Sequence, residues 1–300
     1  MLVGSAPSEL KLGSTTVTGV RRGVGLIYDS DVAAFQKASG ATQVGPILAL
    51  VDYLKAESLW DYARFYPMKS SQNAGSGSTV YGLGGLTSNN MTLVNSPTWG
   101  SDGVTFDGST NYGKADVTGF GSSDEVLLFW RSSPVLASQA DTYASMIIGF
   151  GRVRNTGPTG TGGTNMGIVT GATSGETWTS QWTFATDEGA NLRRIGTSGF
   201  AWAAGEDHAT VFQIGNESAL WKNKTSVSLD KNNQIDETTD LGPSDIGGVS
   251  DDVFVSGYKV NGTDTAAPTA GSFAAFLVFA SVAQPTAEQR ETITDLINAL

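Results

Sequence analysis

From residue 79 onward, short strand-like runs alternate with turns, which limits the chain to a few β architectures. About a dozen such runs follow one another without helical periodicity between them, which is typical of an antiparallel β-sandwich. Glycine supplies 38 of 300 residues and only 16% are charged, as expected of a turn-rich β protein. The strands are expected at 79–83, 91–95, 103–106, 124–130, 143–149, 166–170, 177–184, 192–195, 208–214, 219–221, 253–258 and 273–282.

Two of these runs lack the alternation of apolar and polar residues that a half-exposed strand shows. The stretches from Val126 to Trp130 and from Phe276 to Phe279 are continuously apolar. Both are therefore predicted to be buried on two faces.

The N-terminal part has a different pattern. Strand-like runs at 12–20 and 24–28 precede a helix from Asp31 to Ser39, which Asp29 and Ser30 cap and Gly40 ends. Pro46 opens a second helix, whose apolar spacing continues to Phe65 before Pro67 stops it.

These patterns predict a β, β, α, α region over 1–68, a linker over 69–78 and a β domain over 79–300. The linker is small, polar and glycine-rich, which is typical of flexible segments. Thr286 and Gln289 form a capping-box pattern that opens a short C-terminal helix.

Charge excludes some partners. Residues 1–70 carry seven Lys/Arg and six Asp/Glu (+1), and residues 71–300 carry eleven and twenty-three (−12), which together give −11. An acidic body repels phosphate backbones and anionic lipids, so neither nucleic acid nor a membrane is an expected partner. The first residues lack a basic region followed by an apolar stretch, so we expect no signal peptide.

The order of segments from about residue 100 resembles the laminin-G-like, concanavalin-type jelly-roll family. The sequences that carry this resemblance are GVTFDGSTNYGKA (103–115), DEVLLFWRS (124–132), SMIIGFG (145–151), DHATVFQIGNESALWKNKTSV (207–227), VFVSGYKVNG (253–262) and the end of the chain from 271. Two residues depart from the pattern: Asp207 lies where an aromatic residue is common, and Asn223 lies where glycine is common. The resemblance implies an antiparallel jelly roll that ends in a short helix.

The N-terminal stretch SELKLGSTTVTGVRRGVGLIYDSDV resembles short modules near the start of structural proteins of tailed bacteriophages. That resemblance implies a virion location, with 1–68 docking on other virion proteins. It also implies a symmetric homo-oligomer such as a trimer, in a tail fibre, another appendage or a capsid-decoration subunit.

Catalytic patterns are missing from the sequence. His208 is the single histidine, no cysteine occurs, and no G-x-S-x-G elbow or P-loop is present. No glutamate begins the Glu-x-Asp-x-x-Glu pattern of jelly-roll glycosidases, whose chemistry needs paired carboxylates. We therefore expect no catalytic residues and no cofactor, and we expect His208 to be structural.

Calcium is an open alternative, because some laminin-G-like domains hold it at a loop rim. The candidate oxygen ligands are Asp102, Asp107, Asp251 and Asp252, although solvated turn residues are the simpler interpretation. The segment 230–241 begins like a calcium loop but lacks its glycine and its final glutamate.

Trp178 and Trp182 are the candidate ligand-binding residues. They lie four apart, so on a regular strand they share one face and could stack on a sugar ring. The polar residues between them favour the alternative, in which both face the sandwich interior.

Taken together, the sequence predicts a non-enzymatic virion protein with an outward lectin-like domain for contact with a host surface glycan. The alternative is a secreted or particle-borne polysaccharide-degrading enzyme of the jelly-roll class.

Overall fold

The chain begins with two β-hairpins and two helices. This computed structural model describes residues 10–12, 15–17, 19–22, 25–86, 89–117, 125–135, 145–151, 166–170, 184–188, 191–195, 208–214, 219–227, 250–260, 263–266, 270–281 and 284–300. Strand β1 (Leu10–Leu12) pairs with β2 (Thr15–Val17), and β3 (Gly19–Arg22) pairs with β4 (Gly25–Asp29). The first strand-like run is therefore divided, because its two ends belong to different hairpins.

Helix α1 (Ser30–Ser39) has the predicted caps. The Asp29 carboxylate accepts hydrogen bonds from the backbone N–H groups of Asp31 and Val32. Gly40 ends the helix with a φ of 74°, a conformation that glycine adopts without a steric penalty.

Helix α2 (Gly45–Ala56) is shorter than predicted. The chain turns at Ser58, which has a φ of 58°, and then forms a single 3-10 turn over Trp60–Tyr62. Residues Ala63–Pro67 form strand β5, so Phe65 lies on a strand and not on a helix. The helical spacing of Phe65 was misleading, because β5 is fixed by pairing with a strand near the end of the chain.

Most strands belong to two antiparallel sheets. An eight-stranded sheet contains β5, β8 (Thr98–Gly100), β9 (Gly103–Asp107), β11 (Glu125–Val135), β16 (His208–Ile214), β17 (Ala219–Lys222), β18 (Thr225–Val227) and β22 (Ala270–Ser281). A six-stranded sheet contains β6 (Thr79–Val80), β7 (Met91–Val94), β10 (Tyr112–Asp116), β12 (Ser145–Gly151), β13 (Met166–Thr170) and β19 (Ser250–Val255). Two further hairpins join β14 (Phe184–Glu188) to β15 (Asn191–Ile195) and β20 (Gly257–Val260) to β21 (Thr263–Ala266).

Strand β22 is the central strand of the larger sheet. It pairs with β11 along one edge, from Ala270 opposite Val135 to Ser281 opposite Glu125. On its other edge it pairs first with β9 and then with β5. One strand therefore joins the N-terminal part of the chain to the sandwich.

The molecule has three layers and two cores. The first core lies between the two sheets and includes Trp130, Phe106 and Phe276. The second lies between the outer face of the eight-stranded sheet and the helices, and includes Leu50 and Phe129. The fold is thus the predicted mostly β antiparallel sandwich with a small N-terminal α+β region and a short C-terminal helix, and its helices in addition cover one sheet.

Helix α3 (Ala287–Asn298) closes the chain through the predicted capping box, in which Thr286 and Gln289 bond reciprocally. Its apolar face reaches the second core through Ile293 and Ile297, and Leu300, two residues beyond the helix, belongs to the same core. In the turn from β17 to β18, Asn223 has a φ of 54°. This left-handed conformation suits glycine, and asparagine tolerates it better than most other residues.

The segment 69–78 is held by specific contacts. Gln72 and Asn73 are both buried, and Gln72 donates a hydrogen bond to the carbonyl of Leu300. The Asn73 amide bonds the backbone of Pro67 and Tyr81. Composition predicts a flexible stretch here, but these hydrogen bonds hold the segment in place. The two buried amide side chains bond to backbone groups of the residues around them. The division of the chain at this segment stays a prediction.

Within the described residues, no helix combines the length and apolar character needed to span a bilayer.

Candidate functional site

The two tryptophans predicted to bind a ligand, Trp178 and Trp182, lie outside the described residues, and that hypothesis stays a prediction. Trp130 is fully buried in the first core. Trp221 is half-buried, and the guanidinium carbon of Arg290 lies 3.8 Å from the centre of its ring. His208 is the first residue of β16 and pairs with Ser132 through the backbone.

Asp107, one of the candidate calcium ligands, closes a turn. Its Oδ1 accepts hydrogen bonds from the backbone N–H groups of Ser109, Thr110 and Asn111, at 2.8, 2.9 and 3.2 Å. Its Oδ2 accepts one from the Thr110 hydroxyl at 2.6 Å. Desolvation opposes the charged form, but these hydrogen bonds outweigh it and hold the pKa of Asp107 well below its usual range. The Phe-Asp-Gly sequence thus has a structural use, since the carboxylate organises the loop that follows it.

Of the other candidate calcium ligands, Asp251 and Asp252 belong to strand β19. Asp102 is exposed in the turn between β8 and β9. Among the described residues, no group of three or more His, Asp or Glu side chains could hold a metal ion. The segment 230–241 lies outside the described residues, so a calcium site stays a prediction.

A surface cavity lies where the two N-terminal helices meet the 3-10 turn. Its volume is about 470 Å³, and it is lined by Ser30, Asp31, Lys55, Ser58, Trp60 and Asp61. Small-ligand sites typically measure about 300–1,000 Å³. We call it the corner cavity.

Each wall of the corner cavity comes from a short element with a local reason for its position. The start of α1 supplies Asp31, the last turn of α2 supplies Lys55, and the 3-10 turn supplies Trp60. The left-handed Ser58 reverses the chain between Lys55 and Trp60. The cavity therefore depends on where α1 begins and where α2 ends.

Gly85 holds the 3-10 turn in place from the outside. Its N–H donates to the carbonyl of Trp60 at 3.0 Å. A Cβ at this position would lie 2.6 Å from the Cα of Asp61. Only glycine allows this close approach without moving the turn.

Lys55 is bound between two carboxylates. Its Nζ lies 2.7 Å from Oδ2 of Asp29, which is only 3% exposed, and it also bonds Oδ2 of Asp31. Burial disfavours the charged ammonium, but these hydrogen bonds and charges outweigh burial and raise the pKa of Lys55. The ammonium also lies 4.8 Å from the centre of the Trp60 ring, within cation–π range.

Trp60 is half-buried, packs against the second core and also lines the cavity. Asp61 next to it is exposed. The arrangement therefore places an aromatic ring, two carboxylates and two hydroxyls around one concave surface. Such a set can accept hydrogen bonds from a ligand that also has an apolar face.

Sequence reasoning missed the corner cavity, because it assigned Trp60 to the apolar stripe of a long second helix. A signal was present in the polar residues Glu57 and Ser58, which interrupt that stripe.

Comparisons with known proteins identify no family. No protein-family model matches the sequence, and no curated protein matches it. A sialidase of Trypanosoma rangeli in complex with the inhibitor DANA is 12% identical, with a TM-score of 0.45 over 77% of this chain and 32% of that chain. The binding domain of botulinum neurotoxin serotype D/C is 11% identical, with a TM-score of 0.48 over 79% of this chain and 52% of that chain. The CBM40 module of a Ruminococcus gnavus sialidase is 13% identical, with a TM-score of 0.39 over 58% of this chain and 84% of that chain.

The chain thus spans about a third of the sialidase chain and about half of the neurotoxin chain. At these identities and TM-scores, the similarities say nothing about what this chain binds.

Proposed function

We propose that this chain is a non-enzymatic, lectin-like protein that contacts glycans through the corner cavity. The observation that carries the proposal is the placement of Trp60 beside the carboxylates of Asp31 and Asp61 in one cavity. A pyranose ring has an apolar C–H face that packs on an indole, and hydroxyls that donate to carboxylates. The two serine hydroxyls, on Ser30 and Ser58, add further partners.

Substitution of Trp60 tests this function, with Tyr62 as the matched control. Both aromatics lie on the same 3-10 turn, but Tyr62 is 41% exposed and does not line the cavity. A glycan array identifies the best ligand, and calorimetry then gives Kd for wild type, Trp60→Ala and Tyr62→Ala. We expect Trp60→Ala to weaken binding at least about tenfold and Tyr62→Ala to leave it unchanged. Equal effects of the two substitutions, or no glycan bound by the wild type, would overturn the proposal.

The absence of catalysis is part of this proposal. Asp31 and Asp61 are both exposed, whereas the general acid of a glycosidase needs surroundings that keep it protonated. We expect no release of reducing ends from polysaccharides that the protein binds. Release that Asp31→Asn or Asp61→Asn abolishes would establish the polysaccharide-degrading alternative instead.

We further propose that the protein is a structural component of a tailed-phage virion, with residues 1–68 docking on the particle. The support is the resemblance of the N-terminal stretch to phage modules, together with its two successive hairpins of three to five residues per strand. Two-stranded hairpins are marginal alone and gain stability against other copies or partners. Particles produced by the source strain should contain the chain by mass spectrometry, and the purified protein should sediment as a symmetric oligomer such as a trimer. A monomer that is missing from the particles would overturn this role.

A further inference from the structure

Lys55 is the cation that could attract an acidic ligand to the corner cavity, and its bonding capacity is used within the protein. An ammonium has three N–H donors and no acceptor. Asp29 takes one at 2.7 Å, Asp31 takes a second, and the Trp60 ring faces the ammonium at 4.8 Å. Two carboxylates and an indole ring of the protein itself therefore already surround the charge that a carboxylate, sulfate or phosphate group would need.

The start of α1 is a second place where an anion could bind, since the N–H groups of a first turn point outward. Here Oδ1 of Asp29 already accepts from the N–H groups of Asp31 and Val32, at 2.9 and 3.1 Å. The capping carboxylate also places its own negative charge at the positive end of the helix. The positive end of helix α1 is therefore already neutralised by the Asp29 carboxylate.

The charges that remain around the cavity are negative. The cavity lining holds Asp31, Asp61 and Lys55, a formal charge of −1, and the buried partner of Lys55, Asp29, brings the sum to −2, within a chain of −11. Ionised carboxylates only accept hydrogen bonds. A ligand must therefore supply donors, and an acidic group on it meets like charge.

Resting on the proposed function, we infer that the corner cavity selects saccharides without an acidic group. Neutral hexoses and amine-bearing hexosamines satisfy the Asp31 and Asp61 carboxylates through O–H and N–H donors. Sialylated, sulfated and uronic-acid glycans are rejected by those same carboxylates.

Matched glycan pairs test this selectivity. The probes are a galactose-terminated oligosaccharide, the same oligosaccharide capped with sialic acid, and the corresponding galactosamine-terminated form, each measured by calorimetry at low salt. We expect the neutral form to bind about tenfold more tightly than the sialylated form. The galactosamine form should bind at least as tightly as the neutral form.

Asp61→Lys is the diagnostic variant, because Asp61 is exposed and lines the cavity. It should reduce the preference for neutral over sialylated glycan at least about threefold. Asp102→Lys makes the same charge change in an exposed turn that does not line the cavity, and should leave the preference unchanged. Equal effects of the two variants, or a wild type that prefers the sialylated form, would overturn this inference but leave glycan binding intact. A wild type that binds none of the three probes or any array glycan would overturn both.

Discussion

Phe129 and Trp130 are consecutive residues of one strand, yet they lie in different cores. Trp130 is buried between the two sheets, and Phe129 is buried beneath the helices, with its ring centre 5.8 Å from that of Phe279. Side chains of a strand alternate between its faces, so β11 must be covered on both sides. The helices are therefore part of the sandwich and not an appendage to it.

The first prediction concerns this second core. Phe129→Ala should lower the free energy of unfolding by about 3–5 kcal/mol, because it leaves a cavity between sheet and helices. Tyr62→Ala, at an exposed aromatic, should change it by less than about 0.5 kcal/mol. Urea unfolding followed by circular dichroism measures both. A loss below about 1 kcal/mol for Phe129→Ala would mean that the helices do not bury this face.

The second prediction compares a buried ion pair with an exposed one. Lys55→Met leaves the Asp29 carboxylate, 3% exposed, without its cation and should cost about 3 kcal/mol. Lys224→Met breaks the pair with Asp295, whose side chains are 44% and 60% exposed, and should cost less than about 1 kcal/mol. If urea unfolding showed similar losses of unfolding free energy for Lys55→Met and Lys224→Met, the burial of Asp29 would not strengthen its pair with Lys55.

Because the pKa of Lys55 is raised in the folded state, the stabilisation that the Lys55–Asp29 pair contributes depends on pH. This stabilisation is fully present at neutral pH. It begins to fall as the pH rises above about 10.4, the value in the unfolded chain, and it is lost as the pH passes the higher pKa of the folded state. The stability difference between wild type and Lys55→Met should therefore narrow in strong alkali.

The third prediction concerns acid. Because the pKa of Asp107 is lowered in the folded state, ionised Asp107 stabilises the fold above about pH 3.9. This stabilisation disappears as the pH falls below that value. The stability difference between wild type and Asp107→Asn should thus be larger at about pH 7 than at about pH 2.5. Thr110→Val, which removes the shortest hydrogen bond to Asp107, should show the same trend with a smaller amplitude. A difference that stays constant with pH would show that the charge of Asp107 has no part in the turn.

The fourth prediction separates the shape of the cavity from the stability of the fold. Gly85→Ala places a Cβ 2.6 Å from the Cα of Asp61, so the 3-10 turn must shift and glycan binding should weaken at least about tenfold. Gly45→Ala, at the start of α2 where nothing lies within 4 Å, should leave binding unchanged. The free energy of unfolding of Gly45→Ala should equal that of the wild type or exceed it by about 0.4–1 kcal/mol. Unchanged binding in Gly85→Ala would mean that the turn does not shape the site.

Local signals in the sequence predicted those parts of the fold that depend on neighbouring residues. The caps of α1 and α3 were readable because Asp29, Gly40 and Thr286 act within one turn. The unbroken apolar run around Phe129 correctly indicated burial on two faces, although not that helices supply the second cover.

Strand β5 could not be predicted from the local sequence, because its partner residues Ala275–Phe279 lie at the far end of the chain. Non-local pairing leaves no periodicity in the local sequence. The corner cavity was missed partly because Trp60 was assigned to a long helix and partly because the cavity also depends on non-local packing. Asp31, Lys55 and Trp60 are assembled by the packing of separate elements, and none of them belongs to a recognisable motif.

A crystal structure of the protein soaked with its best array ligand would show directly where the glycan binds. We expect a sugar ring in the corner cavity, packed on Trp60 and hydrogen-bonded to Asp31 and Asp61. A sugar bound elsewhere, with the cavity filled only by water, would contradict this expectation.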